Sequence, residues 1–208
     1  MYVGKPVIGI AGGIGSGKSF IAKLFAGEGC LVIDSDQQVS DAYRDEAVRE
    51  TLRQWWGDAV IRPDGQINRR LIGAKVFSDA GERRRLEELI HPRVNAARER
   101  AMAEAARNPR VVAFVWDTPL LFETGLNGLC DAVVFVEASL EDRIRRVAER
   151  SGWDAAELAR RENSQWPLDR KRGIADYVVR NTADTDFARS QVKDALFQIV
   201  GNKNRFQT

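Results

Sequence analysis

The run Gly12-Gly13-Ile14-Gly15-Ser16-Gly17-Lys18-Ser19 follows directly on the apolar stretch Val7-Ile8-Gly9-Ile10-Ala11. A buried strand that turns through glycines into a helix is the setting of a phosphate-binding loop. Gly12-x4-Gly17-Lys18-Ser19 matches that pattern at every fixed position. Glycines reach backbone angles closed to other residues, so successive N–H groups can curl around an oxyanion. The helix expected to start near Lys18 adds its own N-terminal N–H groups and dipole. Residues Gly13, Ile14, Gly15, Ser16, Gly17, Lys18, Ser19 and Phe20 are therefore expected to hold ATP. Lys18 reaches toward the β and γ phosphates, and the Ser19 hydroxyl is the candidate ligand for Mg²⁺.

Working outward, short β-branched runs at 7–11, 31–33, 111–116, 132–136 and 177–179 predict five buried strands. Helical patterns cover 18–28, 46–56, 83–89, 94–107, 140–151, 155–165 and 187–200. Ser139 with Asp142, and Asp154 with Glu157, carry the spacing of helix N-terminal caps. Alternating strands and helices imply an α/β fold with a five-stranded parallel sheet covered on both faces. About eighty mostly helical residues separate the second strand from the third, and roughly forty Arg- and Glu-rich ones the fourth from the fifth. Both exceed an ordinary crossover and are expected to be helical insertions near the site.

Composition narrows the function classes. The 208 residues carry 32 Lys and Arg against 30 Asp and Glu, a net charge of +2, which argues against a general nucleic-acid binder. Cys30 and Cys130 follow no metal-ligand spacing and there is one histidine, His91, so a structural zinc site is not expected. No signal-peptide layout opens the sequence and no apolar run approaches membrane-spanning length, so a cytosolic setting is expected. An Asp-x-x-Gly switch and an Asn-Lys-x-Asp guanine reader are both missing from the sequence. A small-molecule kinase fits better than a GTPase or a motor.

The acceptor side is expected at Ile33-Asp34-Ser35-Asp36, because strand ends of a parallel sheet aim their next residues into the ligand crevice. A carboxylate there either caps the following helix or orients an acceptor hydroxyl and takes its proton. At this point the sequence resembles the dephospho-coenzyme A kinase family. The resemblance rests on Gly12 to Ser19, on Val32-Ile33-Asp34-Ser35-Asp36, on Asp64-Gly65 with Asn68-Arg69-Arg70-Leu71, and on Phe77. It continues through Leu89-Ile90-His91-Pro92, Pro119-Leu120-Leu121-Phe122-Glu123, Arg146 and Arg150. It closes with Gln165-x-Pro167-x3-Lys171-x3-Ala175-Asp176-Tyr177-Val178-Val179-x-Asn181. Phe20 departs from the family's usual Thr, without touching the role given to Ser19.

The resemblance implies ATP-dependent phosphorylation of the ribose 3′-hydroxyl of dephospho-coenzyme A, with ATP and Mg²⁺ as cofactors. It implies a single domain over 6–205: a P-loop kinase core at about 6–36, 110–140 and 175–205, a substrate-binding helical insertion at about 37–109, and a mobile lid at about 141–174. Asp36 matches the family's base, and Arg146, with Lys18, its phosphate-stabilising cations. Asn181 falls where the adenine pocket is expected. Asp34, Arg69, His91 and Lys171 are candidate substrate contacts, with His91 at a loop-to-helix junction. Asp117 ends the third strand as a Walker B carboxylate would. Arg150 has the alternative of a surface ion pair, and Arg170 and Arg172 that of a solvated face. Trp55, Trp56 and Trp166 are expected to be packing residues. The partners implied are small molecules, not nucleic acid or membrane. Two other readings stay open: a kinase of another nucleoside or nucleotide, and a nucleotide-binding regulator without turnover.

Overall fold

A computed structural model describes residues 1–182 and 184–202; the expected domain limit at residue 205 lies outside them. Five strands, β1 (Val7–Gly12), β2 (Cys30–Asp34), β3 (Ala113–Asp117), β4 (Ala132–Glu137) and β5 (Tyr177–Arg180), form one all-parallel sheet in the order β2-β3-β1-β4-β5. The expected strands are all present, with β3 shifted by one to two residues. Because β1 pairs with β3 on one side and β4 on the other, the chain winds outward in both directions from it. The crevice at its carboxyl end is where such sheets bind ligands.

The chain divides into two compact units, Met1–Asp34 with Met102–Thr208, and Ser35–Ala101. In the first, α1 (Lys18–Gly27) and α9 (Thr185–Gly201) cover one face of the sheet. Ile21, Phe25, Val192 and Ile199 pack there against Ile8, Ile10, Val115 and Val134. On the other face Met102 joins Val7, Ile33, Phe114 and Trp116, while Leu121 and Phe122 join Ala11, Val133 and Phe135. Side chains of one strand thus bury on both faces, which is why these strands read as unbroken apolar runs. This unit also carries α6 (Leu140–Ser151), α7 (Ala155–Glu162) and α8 (Leu168–Ile174). Ser139 and Asp154 cap α6 and α7 by accepting from Asp142 N and Glu157 N, as their spacing predicts.

The second unit holds α2 (Ser35–Ala42), α3 (Glu46–Trp56), α4 (Arg69–Ser78) and most of α5 (Ala80–Ala106) around Val48, Leu52, Val60, Ile72 and Ile90. Two expectations are corrected here. The helices at 83–89 and 94–107 are one helix, and His91 lies inside it, not at a junction. Pro92 removes the backbone donor that the Glu88 carbonyl would take, and at the next position Arg93 Nη1 donates to the Leu89 carbonyl at 2.8 Å. Helices α2, α4 and α8 had not been expected. Trp55 and Trp56 pack edge to face at 5.8 Å, and Trp56 Nε1 donates to Glu82.

Candidate active site

The loop between β1 and α1 turns through Gly12, Gly15 and Gly17, all at positive φ. A side chain would collide with its surroundings at each of them. A Cβ on Gly15 would stand 2.8 Å from the Arg143 carbonyl oxygen, and one on Gly17 would stand 2.1 Å from Asn181 Nδ2. Lys18 opens α1, and its Nζ lies 3.3 Å from the Gly12 carbonyl oxygen and 3.5 Å from that of Gly13. Ser19 and Phe20 in the same turn are exposed.

The loop's carbonyls are taken from behind. Arg146, on α6, donates Nη1–H to the carbonyls of Gly15 (3.3 Å) and Ser16 (3.1 Å), and Nη2–H to that of Asn181 (3.2 Å). The Asn181 amide donates Nδ2–H to the Ser16 carbonyl at 2.7 Å. When carbonyls are engaged on one side, the peptide planes leave their N–H groups facing the other. A guanidinium beside the loop also adds positive charge next to an anion site. A second clamp comes from α6 and α7. Buried Arg143 pairs with Glu162, whose Oε1 accepts the Ile14 N–H at 3.2 Å. A cleft of about 180 Å³ opens here, lined by Gly13, Val136, Glu137, Arg143, Asp169 and Arg172.

On the β2–β3 side, Asp34 and Asp117 are Cα partners at the last register of their strands. Asp34 is exposed and Asp117 is 8% exposed. With the Ser19 hydroxyl they are hard oxygen donors of the kind Mg²⁺ takes. The segment after β3 passes through Leu120 at φ 58, left-handed for a leucine, and ends at Glu123. Glu123 Oε1 accepts from Lys171 Nζ at 2.7 Å and from Trp166 N–H at 2.8 Å. Gln165 Oε1 takes a further Lys171 hydrogen bond at 3.0 Å. Lys171 is 3% exposed, so its ammonium is spent inside the protein. Burial works against the Glu123 carboxylate, yet the Lys171 and Trp166 hydrogen bonds outweigh it and hold the carboxyl below its usual range. Trp166 stacks on Phe122 at 5.9 Å, with the Arg170 guanidinium 3.7 Å above its ring.

In the second unit, Asp36 is exposed in the first turn of α2, where a carboxylate also suits the helix dipole. Arg69 opens α4, donates Nη2–H to Ser40 Oγ at 2.7 Å, and lies over the Tyr43 ring. His91 is exposed on α5. The first unit thus gathers the glycine loop, Lys18, Ser19, Asp34, Asp117, Arg146, Lys171 and Asn181; the second carries Asp36, Arg69 and His91. Arg143 and Glu162 were missed by sequence reasoning. Arg143, three residues before Arg146, shares its helix face, but nothing local marks Glu162.

The sequence profile described as dephospho-CoA kinase matches residues 6–186. A dephospho-CoA kinase of Anaeromyxobacter dehalogenans is 39% identical over 201 residues, 96% of this chain and 94% of the relative. One of Thermus thermophilus is 36% identical over 94% of this chain and 92% of the relative. A crystal structure of a Thermus thermophilus protein superposes with a TM-score of 0.79 at 35% identity, covering 93% of this chain and 96% of that one. A Campylobacter jejuni dephospho-CoA kinase at 20% identity shares the fold, with a TM-score of 0.67.

Proposed function

The chain belongs to the dephospho-CoA kinase family, and we propose that its glycine loop, Lys18, Asp36 and Arg146 carry that family's reaction here. It is a P-loop kinase that phosphorylates dephospho-CoA with ATP in coenzyme A biosynthesis. Membership decides between the open readings: the chain is an enzyme of this kinase class. Its reactants are small molecules. Among the described residues no helix is long and apolar enough to cross a membrane, and we place the enzyme in the cytoplasm, with no nucleic-acid partner.

Phosphoryl transfer passes through a loose transition state, so the protein's work is positioning and charge neutralisation. The loop's N–H groups other than those of Ile14 and Ser16, which donate to Glu162 Oε1 and to the Gly13 carbonyl, receive the phosphate oxygens of ATP, beside Phe20. Lys18 follows the charge that develops on the transferred group. The Ser19 hydroxyl would help to hold Mg²⁺, which would supply further charge neutralisation. The Asp36 carboxylate accepts the proton of the ribose 3′-hydroxyl as its oxygen bonds to phosphorus. The bond to the leaving ADP breaks, and coenzyme A carries the new 3′-phosphate. Asp34, Arg69 and His91 are proposed to contact dephospho-CoA. Lys171 acts on that side by fixing α8 through Glu123. Arg146 stabilises the transferred charge from behind the loop, and Asn181 borders the adenine end.

The observation that carries this reading is the glycine loop with its carbonyls clamped by Arg146 and Asn181, in a chain whose family match runs from 6 to 186. Incubation with ATP, Mg²⁺ and a panel of hydroxyl acceptors tests it. Phosphate is expected on dephospho-CoA in strong preference to free nucleosides and shikimate. Equal labelling of unrelated acceptors, or ATP binding without ADP formation, would overturn it.

A further inference from the structure

A carboxylate sits on the glycine loop, where the reaction calls for positive charge. Glu162, at the end of α7, has its Oε1 3.2 Å from the Ile14 nitrogen and accepts that N–H. The fit is close. A Cβ on Gly13 would stand 3.0 Å from the same oxygen and 2.9 Å from Arg143 Nη1. An anion so placed lies among the N–H groups that take the nucleotide's phosphates, and like charges at this range repel. By itself, Glu162 would weaken the ligand that the loop holds.

Arg143 alters that balance. It is 7% exposed, lies on α6 beside the loop, and donates Nη1–H to the same Glu162 oxygen. Its main chain backs the loop as well, since its carbonyl oxygen is what a Cβ on Gly15 would strike. Among the described residues its ion pair is with Glu162. Glu137, at the rim of the adjoining cleft, is divided between Arg172 and Arg180 and does not draw Arg143 away. A pair buried to this degree adds little net stability, because desolvation offsets much of its attraction. Its effect on the charge beside the loop is larger. Arg146 on the same helix is used differently, with its fork on uncharged carbonyls.

Resting on the reading of the glycine loop as the ATP site, we propose that Arg143 is a positioning residue whose charge cancels that of Glu162. The end of α7 thereby anchors the loop through Ile14 without repelling the nucleotide. Glu162 fixes the backbone, and Arg143 keeps that fixture neutral. The pair sets how steeply affinity rises with the number of phosphates, and it leaves base and sugar unread.

Calorimetric binding of ATP, ADP and adenosine to the full chain and three variants tests this by sign. Arg143→Gln leaves a lone carboxylate on the loop. It should weaken ATP about tenfold or more and ADP less, with adenosine held within about twofold. Glu162→Gln still offers an oxygen to the Ile14 N–H but leaves a lone guanidinium, and should tighten ATP about threefold or more. The double variant should return to within about threefold of the wild type. If Arg143→Gln does not fold, the tightening and its cancellation in the double variant still decide the matter. A purely structural clamp would weaken ATP in every folded variant, and that result would overturn the proposal. So would an unchanged ATP affinity in either single variant, or an equal change for adenosine. A double variant outside the stated range would overturn it too; on the tight side, Glu162 would be occupying a phosphate's place. Wild type that binds ATP no better than adenosine would sink the loop assignment itself, before any variant is made.

Discussion

Asn181 and Ser16 lie 165 residues apart in sequence and are joined by a hydrogen bond of 2.7 Å, from the Asn181 amide to the Ser16 carbonyl, in a buried position. Arg146 ties the same two residues together by donating to both of their carbonyls. The phosphate loop is therefore not free-standing. The end of β5 and the face of α6 hold its shape, and the residue proposed for the adenine end is also a strut of the loop.

Replacing Asn181 by Asp turns a donor into an acceptor facing the Ser16 carbonyl. The Ser16 carbonyl would keep its Arg146 hydrogen bond but face a buried carboxylate, which should cost about 1–3 kcal/mol of stability. The KM for ATP should rise, and so should that for GTP. Thermal melts and both KM values check this. A change in ATP against GTP preference without loss of stability would put Asn181 on adenine alone.

Gly17→Ala should be more severe. The added Cβ would sit 2.1 Å from Asn181 Nδ2 at φ 88, so both backbone and neighbour must move. ATP affinity measured by calorimetry should fall by more than tenfold (on the order of 1.4 kcal/mol). Retained affinity would show that the loop tolerates another shape.

The pair of Glu123 and Lys171 should behave as a buried ion pair. Lys171→Met or Glu123→Gln alone should cost about 3–5 kcal/mol, and the double variant should recover part of it. Because the folded carboxyl titrates below its unfolded value, the pair's contribution is complete above that unfolded value. It is lost as pH falls through the folded one. Chemical denaturation from neutral to acid pH should therefore show a shallower acid decline in the double variant.

Burial, and then the charge of Glu28, push the Cys30 thiol from 9.0 up to about 12. At pH 8, iodoacetamide should label the half-buried Cys130 well before Cys30. As pH rises from about 9 toward 12, the unfolded chain ionises this thiol while the folded one keeps its proton. Cys30→Ala should flatten that alkaline loss of stability. Rapid native labelling of Cys30 would contradict its buried place at the start of β2.

The phosphate loop and the five strands were legible because their signals are local: glycine spacing, and apolar runs of strand length. The capped starts of α6 and α7 were legible for the same reason. What escaped was set by partners distant in sequence. Pro92 read as a break, yet the helix runs on through it. Glu162 has no pattern of its own and gains a role only through Arg143 and the Ile14 amide, 148 residues before it. Lys171 read as a substrate contact in a basic lid run and is a buried partner of Glu123, since charge alone does not tell which basic residue of a run turns inward. Arg44 and Arg49 carry no sequence signal of their own, and their place with Arg69 around one cavity required the fold.

The central claim is that a carboxylate just past β2 activates the ribose hydroxyl for attack on an ATP held by the glycine loop. Turnover of dephospho-CoA by Asp36→Asn, measured beside its ATP affinity, tests this most directly. The account predicts a kcat lower by about two to four orders of magnitude with ATP affinity preserved. Near-normal turnover in that variant would contradict it.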